Sequence, residues 1–227
     1  MKQLCLHESQ REQLLVFCAG WGMDERPFRY LKSSEYDVLF LYDCDSLQAD
    51  QELLDSISRY QRRLLLGWSM GVWWGRCLFG GLGLFEASIA LNGTLCPIHD
   101  EYGIPRDLMT MTMEKWSVAA RDKFYRRMCQ RRDILERFLA DMPQRSIEGQ
   151  RQELRYYLDA ELEFDVSDDF YSDVIVADRD FVVPSENQRR FWRERSIREV
   201  SGAHFPFYSW ASWDGMLDTL LGRSSVE

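Results

Sequence analysis

The hydrophobic pattern of the chain is one of short, continuous apolar runs. They fall at residues 14–18, 38–42, 64–68, 87–91, 174–177 and, less sharply, 197–200. Most do not alternate with polar positions, which is the pattern of parallel strands covered on both faces. Stretches with helical spacing lie between them at 26–31, 49–58, 70–79 and 186–194. This alternation predicts βαβ units and an open, mostly parallel sheet, hence an α/β fold. The rhythm breaks between residues 100 and 164, where helical patterning continues without a convincing strand. That segment is expected to be a helical cap inserted after the fourth run. It would sit near the carboxyl ends of the strands, where open α/β sheets place their ligand crevice. Residues 1–227 would then form one domain, with residues 100–164 as its inserted cap.

Composition narrows the class. Apolar residues make up 45% of the 227 positions and aromatics 14%, with eight tryptophans, enough for a substantial core and for the lining of an apolar pocket. No run approaches the roughly eighteen apolar residues of a membrane span. His7-Glu8 interrupt the N-terminal stretch before a signal-peptide core develops, so a cytoplasmic protein is expected. The six cysteines at 5, 18, 44, 77, 96 and 129 show no C-x-x-C spacing and are expected to be free, buried thiols. The three histidines, His7, His99 and His204, are not paired at metal-ligand spacing, so no zinc or other cofactor is expected.

The chemistry is concentrated at Gly67-Trp68-Ser69-Met70-Gly71, directly after Leu64-Leu65-Leu66. A G-x-S-x-G between a strand and a helix is the nucleophile elbow of α/β-hydrolases, in which a sharp turn lifts the serine hydroxyl above the sheet. The bland alternative is a small-residue turn in which Ser69 caps a helix. A serine hydroxyl needs a histidine to take its proton and an acid to orient that histidine, and this fold supplies them in the order Ser, Asp or Glu, His. Only His204, in a small-residue turn beyond 197–200, follows a late strand. The acid should come from the loop after 174–177, where Asp180 holds the usual position and Asp178 is a rival. Oxyanion donors are expected from the Met70 amide and from the Trp21 amide in Ala19-Gly20-Trp21-Gly22.

With these placements in view, Phe17-Cys18-Ala19-Gly20-Trp21-Gly22, Gly67-Trp68-Ser69-Met70-Gly71-Val72-Trp73, Leu91-Asn92-Gly93-Thr94, Gly103-Ile104-Pro105 and Gly202-Ala203-His204-Phe205 together resemble the BioG-type pimeloyl-[acyl-carrier protein] methyl ester esterases of biotin synthesis. The resemblance spans nearly the whole chain. It implies an α/β-hydrolase that cleaves the methyl ester masking a carrier-bound pimeloyl chain. Two departures from the wider hydrolase pattern are Ala19, where many relatives have His, and Ala177, where a Gly commonly precedes the acid.

The resemblance also gives the charge distribution a meaning. The net charge of −9 argues against general nucleic-acid binding. Residues 114–155 nevertheless hold eleven basic and seven acidic side chains, so this segment is near +4 and the rest near −13. Acyl-carrier proteins are acidic, and an acidic enzyme needs a local basic surface to dock one. Lys123, Arg127 and Arg131 recur at i, i+4 and i+8 with Arg126 beside them, the candidate carrier-binding face. A solvated helix face with no partner is the alternative. Trp21, Trp68 and Phe124 are candidates to line the channel for the acyl chain. A thioesterase or general short-chain esterase with the same triad, and a non-catalytic carrier-binding module, stay open at this point.

Overall fold

The computed structural model describes residues 1–160, 164 and 170–223. Among these residues the strands are β1 (Lys2–His7), β2 (Gln13–Cys18), β3 (Tyr36–Tyr42), β4 (Arg62–Trp68), β5 (Ala87–Leu91), β6 (Asp173–Ala177) and β7 (Ile197–Val200). They form one sheet in the order β1-β3-β2-β4-β5-β6-β7. All neighbours are parallel except β1, which runs antiparallel to β3. The six apolar runs correspond to β2 through β7. The first strand was not legible as one, because an edge strand that is largely exposed needs no apolar run.

The helices are α1 (Gln51–Ser58), α2 (Met70–Phe79), α3 (Arg106–Glu114), α4 (Val118–Cys129), α5 (Arg132–Ala140), α6 (Ile147–Asp159), α7 (Ser185–Phe191) and α8 (Trp213–Leu221). Four of them, α3 to α6, lie between β5 and β6 and form the helical cap of an α/β-hydrolase fold. Residues 161–163 of the expected cap, and 165–169 and 224–227 of the expected domain, lie outside the described residues. The helical stretch expected at 26–31 is a single 3₁₀ turn, Arg26–Phe28. The last helix, α8, was not anticipated. Its ends are locally encoded by Ser212, whose hydroxyl accepts from the Gly215 amide, and by Gly222 in the left-handed conformation. No helix among the described residues is long and apolar enough to cross a membrane.

Strand order reverses between β2 and β4: the chain leaves β2 outward to β3, then returns to build β4 on the other side of β2. The two strands therefore send their following loops apart and leave a crevice at their carboxyl ends. The segment Ala19 to Gly22 leaves β2 at this point, and Ser69 leaves β4. The Ser69 backbone sits at φ 59°, ψ −125°, a conformation that costs roughly 1–3 kcal/mol in a residue with a side chain. The surroundings over-determine it. Its amide donates to the Leu91 carbonyl at 2.9 Å, and its carbonyl accepts from Val72 at 3.0 Å as α2 begins.

The close approach of α2 to β2 depends on Gly71, where a Cβ would run into the Cys18 carbonyl. Backbone cannot yield as the tip of a side chain can. Gly71→Ala is expected to lower the unfolding free energy by about 1–3 kcal/mol, as overpacking does. A denaturant titration with an unchanged midpoint would contradict that close approach.

Candidate active site

The end of β4, the loop after β6 and the loop after β7 meet at one point. His204 Nε2 lies 2.9 Å from Ser69 Oγ, and His204 Nδ1 lies 2.7 Å from Asp180 Oδ2. All three residues are buried, Ser69 being 5% exposed, Asp180 2% and His204 1%. A hydroxyl, an imidazole and a carboxylate in hydrogen-bonded series can pass a proton from oxygen to nitrogen while the imidazolium so formed stays neutralised by the carboxylate.

Each member is held by groups outside the series. Asp180 Oδ1 accepts from the Val182 amide at 2.8 Å and the Val183 amide at 3.0 Å, and Oδ2 also accepts from Gln188 Nε2 at 3.0 Å. The backbone of His204 is fixed through its carbonyl, which accepts from Trp68 Nε1 at 2.9 Å and from Asn92 Nδ2 at 3.1 Å. Asn92 stands just beyond β5 with φ 51°, and its Oδ1 accepts from the Ala177 amide at 2.7 Å. One side chain thus joins the ends of β5 and β6 to the histidine loop. The sequence drew attention to the Asn92-Gly93-Thr94 segment without assigning it a task. Gln188 carried no signal at all, since its role depends on α7 folding back beneath Asp180.

The other candidates separate cleanly. Asp178 is exposed and turns away from the imidazole: its Oδ1 accepts from the Gly202 amide at 2.8 Å and faces Arg179. That amide bond holds its carboxyl below the ordinary carboxylate range. His7 Nε2 lies 2.8 Å from the Leu31 carbonyl, and His99 stacks on Tyr102 with ring centroids 4.7 Å apart.

Ser69 opens into a largely apolar cavity. Its walls include Gly20, Trp21, Trp68, Met70 and His204 from the sheet side, and Leu108, Met109, Thr112, Phe124, Arg127 and Met128 from the cap. Trp21 and Phe124 meet edge-on at 5.2 Å. Trp21, Trp68 and Phe124 therefore border the same space. Met70 is the first residue of α2, so its amide lies outside the helical ladder and beside the serine.

The basic face differs from its sequence reading. The helix α4 stops at Cys129, Gln130 turns the chain with φ 58°, and Arg131 becomes the residue that precedes α5. Arg131 is thus not on the same helical face as Lys123 and Arg127, and its Nε donates to Asp133 at 3.0 Å. Lys123, Arg126 and Arg127 are exposed on α4, and among the described residues none of them has an ion-pair partner. Arg127 also borders the cavity. The cysteines are unbridged, but they are not all buried: Cys5 is exposed on β1, and Cys77 is partly exposed. Among the described residues, no group of three or more His, Cys, Asp or Glu side chains converges to hold a metal ion.

Known proteins share this architecture. The family model described as pimeloyl-ACP methyl esterase BioG matches residues 2–216. A Bacteroides fragilis protein named malonyl-[acyl-carrier protein] O-methyltransferase is 35% identical over 198 residues, which is 86% of this chain. The chain spans only 40% of that relative's length. An uncharacterized protein of Haemophilus influenzae is 32% identical over 216 residues, covering 93% of this chain and 97% of its own. The crystal structure of BioG from Haemophilus influenzae superposes with a TM-score of 0.84 at 28% identity, over 95% of this chain and 99% of that one. A match of this breadth places the chain among the carboxylic ester hydrolases, and it belongs to the BioG family of pimeloyl-ACP methyl esterases.

Proposed function

We propose that this chain is a serine carboxylesterase that hydrolyses the methyl ester of pimeloyl-[acyl-carrier protein], releasing methanol and the free carboxylate on its carrier. The observation that carries the proposal is His204, hydrogen-bonded at once to Ser69 and Asp180 at the floor of an apolar cavity. With Nδ1–H given to Asp180, Nε2 accepts the Ser69 proton as Oγ attacks the ester carbonyl. The amides of Trp21 and Met70 stabilise the oxyanion. His204 then returns the proton to the departing methoxide oxygen, leaving an acyl-enzyme. Water, deprotonated by the same imidazole, attacks that ester, and collapse of the second tetrahedral intermediate frees Ser69 and the product carboxylate.

Three features favour this substrate over an arbitrary ester. The cavity walls are mainly aliphatic and aromatic, suited to a methylene chain. Lys123, Arg126 and Arg127 give an acidic protein a basic place to which an acidic carrier can be drawn. Finally, the longer Bacteroides relative is named for O-methylation of a carrier-bound malonyl group, the chemistry that makes a methyl ester of this kind. The partner is therefore an acyl-carrier protein bearing a pimeloyl methyl ester, and the location in which it would be met is the cytoplasm.

Mass spectrometry of the methyl ester of pimeloyl-carrier after incubation tests the reaction directly. Wild type should remove the mass of one methylene group and leave acyl-carrier intact, whereas release of free carrier would reveal a thioesterase. Ser69→Ala and His204→Ala should each abolish turnover, and retained activity in either would sink the assignment. Asp180→Asn should lower kcat by about 10³–10⁴-fold by favouring the wrong tautomer. Asp178→Asn should stay close to wild type, and the reverse ranking would make Asp178 the acid. Reversing charge at Lys123 and Arg126 should reduce kcat/KM on the carrier-bound ester by about tenfold or more while a small free ester is turned over as before. Equal losses on both would refute the docking surface.

A further inference from the structure

The cap does more than roof the cavity. Every residue from Trp21 to Asp24 is hydrogen-bonded to the segment 144–153, which includes the start of α6. Trp21 Nε1 donates to the Gln150 carbonyl at 2.7 Å. The Gly22 amide donates to Glu153 Oε2 at 3.2 Å, and the Gly22 carbonyl accepts from Gln150 Nε2 at 3.0 Å. The Met23 carbonyl accepts from Arg145 at 3.3 Å, and Asp24 accepts from the Gln144 amide at 2.7 Å. On the sheet side the nearest backbone tether of this loop is that of Ala19 to Leu41. Gly22 itself has φ +75°, a left-handed conformation that no strand or helix imposes on it.

The anchors are in turn rigid. Gln150 is 1% exposed, and its Oε1 accepts from Trp116 Nε1 at 3.1 Å. Glu153 is 4% exposed; it accepts from Tyr157 Oη at 3.0 Å and from the Cys44 amide at 3.3 Å, and pairs with buried Arg145 at 3.1 Å. Arg145 completes the cluster against Asp43. None of these side chains borders the cavity. Yet they hold Trp21 from two directions, through its indole and through the peptide that follows it, and so set where the Trp21 amide points.

We propose that Gln150 and Glu153 of α6 are positioning residues of the oxyanion hole, fixing the Trp21 amide for the transition state by clamping Gly22 from the cap. This rests on the esterase reading above, in which that amide is an oxyanion donor. Preorganised donors act on the charge that develops during reaction and contribute little to ground-state binding, so the signature of losing them is in kcat rather than KM.

The test uses the whole chain with a short 4-nitrophenyl ester as substrate and a short-chain trifluoromethyl ketone as a tetrahedral-adduct inhibitor. Gln150→Met preserves volume and removes the side-chain bonds to Gly22 and Trp116, while Tyr157→Phe deletes only the hydroxyl that steadies Glu153. Gln150→Met should lower kcat by about 10- to 100-fold with KM within twofold, and weaken the ketone by a similar factor. Tyr157→Phe should show the same pattern at a smaller scale, about threefold, and supplies the answer if Gln150→Met does not fold. Wild-type kcat in a folded Gln150→Met, or a loss of kcat with undiminished affinity for the ketone, would overturn the proposal. Ser69→Ala run alongside separates the two readings. If it is inactive while the clamp variants behave as wild type, only the clamp fails; if it remains active, the nucleophile assignment fails first.

Discussion

The backbone of one residue sets the terms for the rest of the molecule. Ser69 occupies a conformation that an isolated chain would avoid, and it does so at the junction where β4 ends and α2 begins. Such strain persists only where its surroundings leave no alternative. Here the sheet pins the Ser69 amide to Leu91, and α2 pins its carbonyl to Val72. The missing side chain at Gly71 lets the helix descend onto Cys18. The reversal in strand order then places the β2 loop opposite the serine, so that Gly20, Trp21, Ser69 and Met70 border one space. A different strand order would leave the same residues on the same sheet without a crevice between them.

Around that point the polar groups are arranged to be immobile rather than merely near. The Asp180 carboxylate receives bonds from two amides, an amide side chain and the imidazole, so it has little freedom to rotate away from His204. Its backbone is fixed as well, since the Asp180 amide donates to Ser185 Oγ, which donates to the Ala177 carbonyl. The histidine is secured through its carbonyl by Trp68 and Asn92. Trp68 thereby belongs both to the cavity wall and to the scaffold of the site. Positional precision of this kind comes from donors and acceptors spread over four strand ends, which is why parallel strands suit it: each of β2 to β7 delivers its loop to the same edge.

What could be read from the amino-acid order was what is encoded locally. The apolar runs marked β2 to β7, and the elbow and the late histidine stood out because each follows directly upon a strand. What could not be read depends on contacts distant in the chain or on a single backbone torsion. The first strand exists because β3 offers it an edge. Arg131 kept the spacing of a continuous helix, and only the positive φ of Gln130 takes it off that face. Loop position favours Asp180 over Asp178 without excluding the rival; in the structure the Val182 and Val183 amides point back at Asp180 while Gly202 engages Asp178. Gln150 and Glu153 looked like ordinary polar residues in a mixed-charge helix, and their contacts with Gly22 span more than a hundred positions.

The attachment of the cap bears on how this fold can be altered. Inserted helices are commonly regarded as interchangeable modules set on a fixed hydrolase body. In this molecule Glu153 of α6 shares an ion cluster, through Arg145, with Asp43 in the loop beyond β3, and Arg137 of α5 lies over the rings of both Tyr30 and Tyr208. Grafting a foreign cap would strip these partners from the body and leave Gly22 and Trp21 without their anchors. A transplantable unit therefore has to take in the cap together with at least residues 21–24, 30, 43 and 208, a discontinuous module defined by its contacts and not by its place in the sequence.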